Sequence, residues 1–89
     1  MRGIEELRKE IDALDERLTE ILAQRQRIVK EIGLYKRARG LPALDEKRKK
    51  EVLEKFKKRA EAAGLEQKFA EELYELIHRY AVKLEEEIK

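Results

Sequence analysis

The sequence predicts an all-α protein with three helices per chain, one long and two shorter, paired with a second copy as an intertwined antiparallel homodimer. Three observations carry this expectation. Apolar residues recur at steps of three and four; Gly40, Pro42 and Gly64 fall where those patterns stop; and no stretch shows the strict alternation of a half-buried strand.

In the first helix, Ile4, Leu7, Ile11, Leu14, Leu18, Ile21, Ile28 and Ile32 form a single stripe broken only at Arg25. Gly40 suits a left-handed C-cap and Pro42 forbids continuation, so this helix should end near Arg39. Such a helix of about 36 residues is ~54 Å long, whereas a compact chain of this size has a radius of gyration of only ~12 Å. Asp45 is a good N-cap for a second helix that runs to about Ala63, with Val52, Leu53 and Phe56 inward and Gly64 closing it. A third helix should start near Glu66 and run to the end, with Phe69, Leu73, Leu76, Ile77, Tyr80 and Leu84 as its apolar side. The connections are short, which makes residues 1–89 one domain. Two shorter helices leave part of the long stripe uncovered, hence the expectation that two first helices pair about a two-fold axis.

Composition narrows the function. Of 89 residues 47% are charged, yet the formal net charge is only +2, and no basic face with interleaved aromatics is evident, which argues against a nucleic-acid partner. The absence of cysteine excludes disulfide staples and thiolate metal sites, and the lone His78 cannot form a histidine metal cluster. No apolar run is long enough for a membrane span, and a reducing cytoplasmic setting fits a cysteine-free chain. A palette rich in Glu, Lys, Leu, Ala and Arg fits a thermostable or an engineered protein alike.

The informative charges lie where a core should be. Arg25 sits within the long stripe, and Lys36, eleven residues on, returns to within about 20° of it. Arg48 lies midway between Leu44 and Val52 on an inward row, and Glu85 ends the row Tyr74, Ile77 and Ala81. Arg8 flanks the stripe near the start of the first helix. Each has an ordinary reading: Arg8 paired with Asp12 on a solvated face, Lys36 snorkelling at a helix end, Arg48 and Glu85 in ion pairs, His78 as a partly exposed helix residue. Arg25 resists such a reading, because a buried guanidinium must be paired or hydrogen-bonded. Arg8 and Arg25 are 17 residues apart, ~25 Å along one helix, too far for one small ligand. If two first helices run antiparallel about residue 21 or 22, however, Arg8 of one chain falls opposite position 35 or 36 of the other. Arg8, Arg25, Lys36 and Arg48 then surround one cavity suited to a small dianion.

This pattern, Leu7-Arg8, Ile11-Asp12, Leu14-Asp15, then Arg25, Lys36 and the segment Asp45 to Arg48, resembles the all-helical class of chorismate mutases. The likeness covers essentially the whole chain and is most specific in its first half, where charged positions match at fixed spacing. It implies intertwined dimers of three-helix protomers with two active sites, each built from both chains. It further implies a Claisen rearrangement of chorismate to prephenate, a step of aromatic amino-acid biosynthesis that needs no metal or cofactor. By the resemblance, Arg25, Lys36 and Arg48 of one chain and Arg8 of the other grip the two carboxylates of chorismate. Lys36 also donates to the ether oxygen, and the backbone around Asp45 lies near the ring hydroxyl. Glu85 stands where many members carry a glutamine that donates to the same ether oxygen, and Ala81 where a serine is common.

Three departures follow. Glu85 can donate only when protonated, and Ala81 brings no hydroxyl. Lys49 occupies the place of a glutamate that binds the ring hydroxyl in most mutases, so that hydroxyl has no acidic partner unless Glu46 or another residue substitutes. Isochorismate pyruvate lyases share the fold and resemble mutases lacking that glutamate, so lyase activity is one alternative. A non-catalytic helical dimerisation module, or an engineered scaffold, is the other.

Overall fold

The computed structural model describes residues 2–88. It contains α1 (Ile4–Ala38), α2 (Glu46–Ala62) and α3 (Gln67–Glu86), and no strand among the described residues. The all-α class and the order of the three helices match the sequence reading; α1 and α2 agree with it to within one or two residues, whereas α3, expected to run to the end of the chain, stops at Glu86.

Backbone chemistry explains the boundaries. Gly40 and Gly64 have φ of 65° and 81° and each closes the helix before it. At the first, the Leu41 N–H reaches the Lys36 carbonyl at 2.8 Å and the Gly40 N–H the Arg37 carbonyl at 3.2 Å; Leu65 to Ala60 and Gly64 to Glu61 repeat the arrangement after α2. These are Schellman motifs, which satisfy carbonyls that a helix end otherwise leaves unpaired. Asp45 caps α2 as expected, its Oδ1 accepting from the Arg48 N–H at 3.1 Å. At the start of α3 the Gln67 side chain donates instead to the Lys57 carbonyl at 3.1 Å, tying the two shorter helices together.

The third helix is the centre of the protomer. It packs on both α1 and α2, while the backbones of α1 and α2 stay apart among the described residues. Arg25 meets Tyr74 and Lys36 meets Glu85, so α3 runs parallel to α1. The pairs Lys57–Glu71 at 3.1 Å and Lys49–Glu75 at 3.6 Å run in opposite order along α2 and α3, which are therefore antiparallel. The buried core is small: Val29 and Gly33 on α1, Ala60 on α2, and Ala70, Tyr74 and Ala81 on α3. On α3 this differs from expectation, because Phe69, Leu76 and Tyr80 remain exposed within the chain. The row that carries alanines is the one that packs, since small side chains let helices approach.

Length governs the rest. The chain extends 57 × 25 × 15 Å with a radius of gyration of 16.3 Å, well above the ~12 Å of a compact globule. At ~30 Å, α3 covers little more than half of a ~52 Å helix. The apolar row of the uncovered part stays in solvent: Ile4, Ile11, Leu14, Leu18 and Ile21 are each more than half exposed.

Gly33 sets how closely α3 approaches. A Cβ placed there would lie 3.1 Å from the Glu85 Cα and 3.2 Å from its Cγ, and would also meet the Ile88 side chain. Gly33→Ala gains ~1 kcal/mol of helix propensity but must push the end of α3 outward, carrying Glu85 away from Lys36. The thermal midpoint is expected to change little while ligand-dependent activity falls; unchanged activity would show that this approach is not needed.

Candidate active site

The gap between α1 and α2, floored by α3, is a cavity of about 220 Å³. Its wall includes six of the seven sequence-predicted site residues: Arg25, Lys36, Asp45, Arg48, Ala81 and Glu85. They come from all three helices and the α1–α2 connection, so the site lies where α1 and α2 stand apart. Arg8 is the exception. It is exposed near the far end of α1, and its guanidinium pairs with Glu5 at 3.1 Å rather than with Asp12.

Lys36 is the most constrained cation. Its Nζ donates to the Ala43 carbonyl at 2.7 Å and lies 2.7 Å from Glu85 Oε1, with both side chains largely buried. The approach to Glu85 has ion-pair distance without hydrogen-bond alignment, which leaves Glu85 Oε1 buried and lacking an aligned donor. Lys36 thus pins the α1–α2 connection and holds the carboxylate at the cavity wall.

Arg25 has no carboxylate within ion-pair distance among the described residues. Its Nη2 reaches the Tyr74 hydroxyl at only 3.5 Å, and its guanidinium carbon lies 5.9 Å from the Tyr74 ring centre. These contacts hold the head group in place without neutralising it. Arg48 is more exposed and loosely paired with Glu51 at 3.6 Å, which leaves its donors available at the mouth. Asp45 is occupied as the α2 cap. Arg25, Lys36, Arg48 and Lys49 line the cavity against Asp45 and Glu85, a surplus of two positive charges. A pocket with that surplus and arginine forks can hold a small anion.

Three further wall residues are Lys49, Tyr74 and His78. His78, which its sequence neighbourhood marks as an ordinary partly exposed helix residue, lies on the same α3 row, four residues after Tyr74 and three before Ala81. Its ring stacks beside Tyr74 at 6.2 Å between centres, and its Nε2 is buried without a hydrogen-bond partner. Glu46, the other residue considered for this side, is exposed and does not line the cavity.

Burial lowers the His78 pKa below its ordinary value of 6.5, Lys49 and Arg25 push it further down, and Glu75 and Glu85 oppose them. The unfolded chain therefore binds a proton near pH 6.5 that the folded chain resists. Stability is unaffected by this group well above that pH and falls as the pH drops through it. The thermal midpoint should decline between pH 7 and pH 5, and His78→Asn should make the decline shallower; an identical slope in the variant would contradict this assignment.

Fold and site together define an all-helical protein with a cation-lined cavity between its helices. The family model for chorismate mutase type II matches residues 7–86, and the chain belongs to that family. Over 65 residues it is 35% identical to the T-protein of Haemophilus influenzae, covering 73% of this chain and 17% of that protein. Over 56 residues it is 39% identical to the bifunctional chorismate mutase/prephenate dehydratase of Aquifex aeolicus, covering 63% and 16%. The chorismate mutase of Methanocaldococcus jannaschii is 22% identical over 72 residues, covering 81% of this chain and 73% of that protein. The chain thus spans about one sixth of the length of the first two relatives. No described helix is long and apolar enough to cross a membrane.

Proposed function

We propose that the chain catalyses the rearrangement of chorismate to prephenate, as a homodimer in which each cavity is completed by Arg8 of the second copy. The observation that carries this reading is the convergence of Arg25, Lys36, Arg48 and Glu85 on one cavity with a surplus of two positive charges, in a chain of the chorismate mutase type II family.

The dimer is supported by the uncovered half of α1. Fully burying an aliphatic side chain contributes about 1.5–3 kcal/mol, and at least five on that row are more than half exposed. Beside the row lies a largely apolar groove of about 320 Å³ between α1 and α3, lined by Leu22, Leu73, Leu76 and Tyr80. An antiparallel second α1 would cover both and bring its Arg8 level with Lys36.

The chemistry needs position and charge. Arg25, Arg48 and the second copy's Arg8 clamp the two carboxylates, which holds the enolpyruvyl chain over the ring in a near-attack geometry. Lys36 donates to the ether oxygen as its bond to the ring carbon breaks and negative charge grows there, while the new carbon–carbon bond forms at the other end. Glu85, already beside Lys36, supplies the second donor when it carries a proton. No group is transferred to the protein, so no nucleophile is required.

Turnover is read as loss of chorismate's ultraviolet absorbance. Replacing a donor of this kind costs about 3–4 kcal/mol in the barrier, so Lys36→Ala should lose at least a hundredfold in kcat while retaining its helical spectrum. Near wild-type turnover in that variant would sink the mechanism.

Glu85→Gln, whose amide donates where an ionised carboxylate cannot, should be faster than wild type at neutral pH. An unchanged or lower rate in that variant would remove Glu85 from the reaction. Lys49 in the cavity wall is the one observation favouring a lyase, because it puts a cation where the resemblance implies a glutamate. Isochorismate supplied with detection of pyruvate tests that reading alongside the chorismate assay.

A further inference from the structure

We propose that Ile88 is a positioning residue, which holds the last turn of α3 against Gly33 and so keeps Glu85 beside Lys36. The proposal deepens the mutase reading, and the turnover half of its test rests on that reading.

α3 ends at Glu86, one residue past Glu85. A terminal turn has carbonyls without intrahelical partners and opens readily, so a side chain there keeps its place only where something beyond the helix ties it down. Ile88 supplies two ties to α1. Its side chain lies over Gly33, so close that a Cβ on that residue would collide with it. Its carbonyl accepts from the Arg37 guanidinium, one turn further along α1. The Ile88 N–H also reaches back to the Glu85 carbonyl at 3.4 Å, which links the tie to the residue it would hold. An exposed hydrogen bond exchanges one solvent partner for another, so the Arg37 contact contributes little. The half-buried Ile88 side chain is therefore the main tie.

What the tie protects is the geometry of the Lys36–Glu85 pair. Lys36, Ala43 and Glu85 line both the candidate site and a further cavity of about 400 Å³, whose wall also includes Gly33, Arg37 and Ile88. The pair thus borders open space on two sides, and Glu85 has room to retreat if the last turn lifts. The ion pair is a weak guard against this, because Glu85 Oε1 lacks an aligned donor. With the turn held down, Lys36 Nζ stays 2.7 Å from both the Ala43 carbonyl and Glu85. An ammonium has three donors, so one remains for a ligand in a fixed direction.

Two readouts separate the tie from the reaction. Without substrate, the Lys36 ammonium of wild type should give a resolved signal in nitrogen NMR spectra, because two partners slow its proton exchange. The signal should fade in Ile88→Ala and persist in Ile88→Leu. In chorismate turnover, Ile88→Ala added to Glu85→Gln should lower kcat at least about tenfold, since a displacement of ~1 Å can cost roughly a hundredfold. KM and the thermal midpoint should change little, and Ile88→Leu should keep most of the rate. Added to Glu85→Ala, which has no donor left to place, Ile88→Ala should cost nothing further. An equal loss in both backgrounds would mark a merely structural role and overturn the proposal. So would a Lys36 signal that is absent from wild type or that persists in Ile88→Ala. If the signal behaves as expected but neither wild type nor Glu85→Gln consumes chorismate, the mutase reading fails and the tie stands.

Discussion

Much of the structure depends on the mismatch between α1 and the helix that lies on it. A rod of 35 residues has an apolar row along its whole length, but α3 has only 20 residues and covers one end. Where the two helices meet, small residues let them approach: Gly33 admits Glu85, and Ala81 is buried. Where they do not meet, the row stays exposed. One helix thus supplies a wall of the cavity at one end and a bare apolar row at the other, with Arg8 on the bare half, which is the surface that the proposed dimer would cover.

The same row explains how cations come to line the interior. Arg25 and Lys36 hold positions at which an isoleucine or leucine would continue the stripe. Their burial is tolerated because α2 is held away from α1, leaving room for a ligand rather than a sealed core. Lys36 is stabilised in that space by a carbonyl and by Glu85, and Arg25 is steadied by Tyr74. Neither arrangement uses up the net positive charge. The cavity therefore keeps a cationic surplus, which the proposed anionic substrate would offset.

The sequence made most of this legible. Periodicity and the two glycines marked every helix boundary but the end of α3 to within a residue or two, because helix ends depend on local chemistry. The charged positions within apolar rows identified residues that do share one cavity. Two features were less readable. The separation of α1 from α2 depends on how α3 docks, which no local pattern reports. His78 looked ordinary because its exposure averages a visible edge with a hidden Nε2, and only the folded structure separates them. Arg8 was placed by helix length and symmetry, and within a single chain it stays on the surface beside Glu5.

The central claim is that each site is shared between two chains, and subunit mixing tests it most directly. Arg8→Ala and Lys36→Ala chains are each nearly inactive on this account, because one loses the clamp and the other the donor to the ether oxygen. Refolded together in equal amounts, half of the dimers are mixed, and each mixed dimer has one site with neither defect and one with both. Activity should recover to roughly a quarter of the wild-type value. If the mixture stays as inactive as its components, or if Arg8→Ala alone is fully active, Arg8 is not supplied across the interface and the shared site is wrong.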